Sequence, residues 1–96
     1  MLGRSAFRDV ISRQLDIFAA DEAAGLLAEV QEMKRLYDET DRDDAEEAYG
    51  DYVDAIDAVK DALAEMRDRF AATLEESEEY ERAFEDAARK RWRFLA

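Results

Sequence analysis

An all-α fold follows from three features of the 96-residue sequence. Apolar residues recur with alternating spacings of four and three from Ala45 through Tyr49, Tyr52, Ile56, Val59, Leu63, Met66 and Phe70 to Thr73. Proline is absent, and Gly50 is the last glycine. Asp, Glu and Arg flank the apolar seam, and charged residues make up 42% of the chain. A seam of this period specifies an amphipathic helix that must bury one stripe against other helices. The expected architecture is an antiparallel hairpin of two long helices plus a shorter C-terminal helix, completed into a bundle by self-association. All 96 residues fall within one small helical domain.

The first helix is expected over about 5–38. Ser5 serves as N-cap, and Phe7, Val10, Ile11, Leu15, Phe18, Leu26, Leu27, Val30, Met33 and Tyr37 form its apolar face. The phase drifts between Ala19 and Glu22, and Gly25 lies nearby. Either the helix bends there or Asp21 caps a new one. The reading adopted is one bent helix.

A polar break at 38–44 follows, in which Asp43 and Glu46 have the spacing of a capping box. The second helix is expected over about 44–75. The third is placed over about 77–95, with Ser77 as its N-cap and glutamates in its first turn. The seam also runs on in phase through Ser77, Tyr80, Phe84, Ala87, Arg91 and Phe94. One continuous helix from residue 44 to residue 95 is therefore the competing arrangement.

The net charge of −12 is unevenly distributed. Residues 1–37 carry −1, residues 38–86 carry −15 and residues 87–96 carry +4. So negative a field repels phosphates, and direct nucleic-acid binding is not expected. Acidity with eleven arginines against three lysines also suits a salt-rich cell interior or a GC-rich genome. No stretch is apolar enough for a membrane span, and no apolar run follows the first residues as a secretory signal would require. With no cysteine as well, the expected compartment is the cytoplasm.

Chemistry has few candidates. The chain has no histidine and no cysteine, so the usual zinc and di-iron ligand sets are missing. Glu29/Glu32, Glu75/Glu78, Glu76/Glu79 and Glu78/Glu81 have helical pair spacing but read as solvated faces. Counted from Asp41 as a calcium loop, the segment puts Ala45 fifth, Glu46 sixth and Tyr52 twelfth, which fails the ligand pattern. Ser5, Ser12, Ser77, Thr40 and Thr73 have no histidine to activate them. No catalytic residue, metal site or cofactor is expected.

The expected function is non-catalytic: a small acidic interaction or scaffold protein that self-associates, as a homodimer, through apolar helix faces. Its association face is Tyr37, Tyr49, Tyr52, Ile56, Val59 and Leu63. Its partners are itself and another helical protein. The alternative is an acidic decoy that mimics nucleic acid and occupies a basic partner through Asp51, Asp54, Asp57, Asp61 and Asp68. The terminus at Arg89, Arg91 and Arg93 is either a basic contact or a last helical turn in which cations complement the helix dipole.

Overall fold

The computed structural model describes residues 6–96. Four α-helices follow in order: α1 (Arg8–Asp21), α2 (Leu26–Glu39), α3 (Ala45–Ala71) and α4 (Glu78–Arg91). Short 3₁₀ turns occupy Arg42–Asp44 and Arg93–Leu95. The chain is therefore all-α and contains no strand among the described residues. Its body is elongated, 55 × 22 × 19 Å. The expected N-cap at Ser5 lies outside the described residues.

α3 is the spine. Its N-terminal half pairs with α2 in an antiparallel hairpin, in which Tyr37 packs on Tyr49 and Tyr52 with ring centroids 5.4 and 6.3 Å apart. Its C-terminal half is covered by α4 and the 3₁₀ turn that follows it, with α1 packed on α4 and joined to the same core. The core is one contiguous cluster: Ile11, Leu15 and Phe18 from α1, Val30 from α2, Ala55, Val59, Leu63 and Ala71 from α3, and Tyr80, Phe84 and Ala88 from α4. One end is thus a three-helix bundle and the other a two-helix hairpin.

The single bent helix expected over about 5–38 is corrected to two helices. The chain leaves the helix after Asp21, and Gly25 at φ −111° and ψ −112° sits outside helical geometry. The first amides of α2 would be orphaned by such a break. Glu22 supplies both acceptors: its Oε2 takes the Leu26 N–H at 2.9 Å and its carbonyl takes that of Leu27 at 3.0 Å. Asp21 does not cap α2; it is the last residue of α1. A β-carbon at Gly25 would come within 2.6 Å of Glu22 Oε2. The break allows α1 to lie along α4 while α2 lies along the start of α3.

The capping box at Asp43 and Glu46 does not form. The 3₁₀ turn already provides backbone acceptors, with Asp44 N–H donating to the Asp41 carbonyl at 3.1 Å and Ala45 N–H to that of Arg42. No side chain caps α3.

The second and third helices are separate, as the preferred arrangement has them. No glycine or proline marks the junction at 72–77. Instead the end of α3 is closed by Leu74 N–H on the Ala71 carbonyl at 3.0 Å and by the Thr73 hydroxyl on the Phe70 carbonyl at 2.7 Å. Ser77 holds the N-cap position, but its hydroxyl donates to Glu81 Oε2 at 3.1 Å and caps no amide. The chain then folds back, as Phe70 against Tyr80 (4.9 Å between rings) and Arg67 Nη1 on Glu85 Oε1 (2.5 Å) require. α4 ends earlier than expected: Trp92 is extended at φ −123° and ψ 100°, which sets its ring edge-on to Phe18 at 5.6 Å.

Two measurements check these junctions. Glu22→Ala and Gly25→Ala should each cost about 1 kcal/mol in urea unfolding, the usual worth of a lost helix cap. Their double mutant should cost much less than the sum, because both remove the same bond; additivity would contradict the cap. Spin labels at positions 57 and 91 should report an intrachain separation far below the ~50 Å of a continuous helix.

Candidate interaction surfaces

The association face read from the sequence divides in two. Val59 (0% exposed) and Leu63 (4%) lie in the chain's own core, in one cluster with residues of α1, α2 and α4. They cannot also face a second chain, and their place in the association face is corrected accordingly. Tyr52 and Ile56 are half-buried in the hairpin. Tyr37 at 36% and Tyr49 at 51% remain open. The reason is helix count: among the described residues, α2 is the main helix packed on the start of α3, so the tyrosine rings cover one another but stay partly open.

On the opposite flank of the same hairpin lies a cleft of about 210 Å³. Met33 and Ala48 form its half-buried floor with Leu36, which is 41% exposed. Asp44 of the 3₁₀ turn and Glu47 and Asp51 of α3 rim it. Reading the sequence by its seam misses Leu36, because it falls one residue before Tyr37 and off the periodic stripe. The available signal was an apolar pair, Leu36-Tyr37, directly following Lys34-Arg35.

The five aspartates of the acidic face, Asp51, Asp54, Asp57, Asp61 and Asp68, are all exposed. Asp68 is held by Arg67 Nε at 2.8 Å. This bond, ahead of the burial that opposes it, raises the already high pKa of the Arg67 guanidinium. The other four make no ion pair among the described residues. The cations of α2 do not reach them. Lys34 binds Asp38 at 2.8 Å, while Arg35 bridges Glu32 and Glu39 at 2.5 and 2.6 Å. The bond from Arg35 holds the Glu32 carboxyl below the usual carboxylate range. Exposed pairs of this kind contribute little to stability.

The basic terminus is largely occupied within the chain. Arg89 reaches Asp86 at 2.8 Å. Arg91 reaches Asp16 of α1 at 2.6 Å, and its guanidinium lies 5.3 Å from the Trp92 ring centroid. Arg93 is exposed. Arg89 and Arg91 therefore sit in the last turn of α4, where cations meet the helix dipole, and Arg91 also ties α1 to α4.

Tyr80 is fully buried, and its hydroxyl donates to Gln14 Oε1 at 2.8 Å. Burial pushes its pKa up, against the smaller opposing effect of that bond. Among the described residues, no three Asp or Glu side chains converge as metal ligands would, and no helix is long and apolar enough to cross a membrane. Compared with protein-family models, with curated proteins and with solved structures, the chain matches none of them.

The excess of carboxylates has a thermodynamic consequence. Residues 29–57 hold twelve carboxylates and three cations. Their self-repulsion acts across a Debye length of about 30 Å at 0.01 M salt but only about 3 Å at 1 M. Raising potassium chloride from millimolar to molar should raise the melting temperature, followed by circular dichroism. A flat or falling trend would contradict a repulsive balance.

Proposed function

We propose that this chain is a non-catalytic helical interaction protein that self-associates through the tyrosine flank of its α2/α3 hairpin. The observation that carries the reading is the pairing of open rings, Tyr37 and Tyr49, with a stretch of α3 that among the described residues is covered chiefly by α2. Aromatic side chains bury large areas, and two-helix units have little core of their own. Packing hairpin on hairpin would produce a local four-helix layer and bury both tyrosine pairs. The same twelve carboxylates oppose it, so association should strengthen as salt screens them.

A second reading treats the exposed stripe of Asp54, Asp57 and Asp61 as a decoy for a basic protein. The absence of ion pairs on that stripe among the described residues favours it. Its mark is binding that is lost in Asp54→Asn/Asp57→Asn/Asp61→Asn.

Light scattering on a size-exclusion column tests self-association. At micromolar concentration and high salt, the mass should approach twice 11.1 kDa. Tyr49→Ser should return it to one chain with helicity unchanged, because Tyr49 is exposed. A strict monomer at every salt and concentration would refute the reading.

A further inference from the structure

We propose that the cleft on the Leu36 flank of the hairpin docks a cationic amphipathic helix from a partner protein. Arginine or lysine stems would lie on Met33, Leu36 and Ala48, with their charged heads among Asp44, Glu47 and Asp51. This rests on the reading of the hairpin end as an association surface but uses its other flank and a different partner.

Three observations narrow the occupant. The floor is apolar, and Leu36 is 41% exposed, so the cleft offers surface for a hydrocarbon stem. The rim is charged and uncompensated: Asp44, Glu47 and Asp51 make no ion pair among the described residues, and Lys34 and Arg35 are committed to carboxylates of α2. The cleft lies between two antiparallel helices, which suits a helix laid into a groove.

Charge then selects among helices. A purely apolar partner would strip water from three carboxylates and return nothing for it. A second copy has few cations to offer this rim, since its hairpin holds three over residues 29–57 and two of them, Lys34 and Arg35, are already paired. A helix carrying arginine or lysine beside its apolar stripe satisfies floor and rim together. Such pairing also steers encounter from a distance, and the long axis of 55 Å with its acid-rich hairpin end gives that field a direction.

The test uses the full chain and a fluorescent peptide of about 18 residues, five helical turns. Its leucines follow the i, i+3, i+4, i+7 pattern and its flanks are arginine; a sister peptide carries glutamate in place of every arginine. Anisotropy titrations at low salt should show binding of the first and none of the second. Asp44→Asn/Glu47→Gln/Asp51→Asn should weaken binding about tenfold or more, the cumulative worth of three exposed charge contacts. Leu36→Ser should also weaken it with every charge retained. Asp54→Asn/Asp57→Asn/Asp61→Asn removes the same charge from α3 alone and should weaken it less than about threefold. Equal loss in both triple variants would overturn the cleft in favour of a general acidic field, and no binding by the arginine peptide would overturn it outright. Tyr49→Ser should leave peptide binding intact, so the failure of self-association and the failure of this proposal are read separately.

Discussion

The burial of Tyr80 is the constraint on which the rest of the arrangement depends. Its ring meets Phe7, Phe70 and Phe84 at centroid distances of 5.5, 4.9 and 5.9 Å, and its hydroxyl is answered by Gln14. A phenol with no solvent exposure is tolerable only when its hydroxyl is hydrogen-bonded. That single side chain therefore fixes α4 against both α1 and α3. Because α1 and α4 are used at the C-terminal half of α3, among the described residues only α2 is left to cover the N-terminal half. The closed end and the open end have one cause.

The electrostatics follow the same division. At the closed end, charges are arranged as cross-links between helices: Arg67 to Glu85, and Arg91 to Asp16. At the hairpin end, the cations of α2 are absorbed by their own helix through pairs three and four residues apart. α3 is left with carboxylates facing water. Hydrophobic exposure and negative charge thus coincide on the same end, and a partner for that end must answer both.

How much of this was legible in the sequence depends on what kind of signal each element leaves. The α2/α3 hairpin was plain, because a seam of nine periodic positions next to a break without apolar residues has few other solutions. The split at Glu22 was visible as phase drift and a glycine, yet ambiguous, because the capping group is a glutamate and not one of the short side chains usual at that position. The return at 72–77 is made by backbone bonds and a threonine hydroxyl, which no composition rule announces. Val59 and Leu63 carry the same periodic mark as Tyr49 and Tyr52. Periodicity says that a residue is buried; it does not say whether the cover comes from the same chain. Leu36 was missed for the converse reason, being apolar and off the seam.

The order of the helices along the chain bears on how the molecule can assemble. α2 and α3 are neighbours in sequence and need only a short turn to meet. α1, by contrast, finds Gln14 paired 66 residues away and Asp16 paired 75 residues away. Contacts of such separation pay a loop-closure cost that local ones do not, and they dominate folding time. During synthesis, α1 leaves the ribosome before the other three helices yet cannot complete its docking until Trp92 has followed. The final cover for its buried face, Ile11, Leu15 and Phe18, arrives only when α4 has been made. Of these four helices, the one made earliest is the one whose place is completed last.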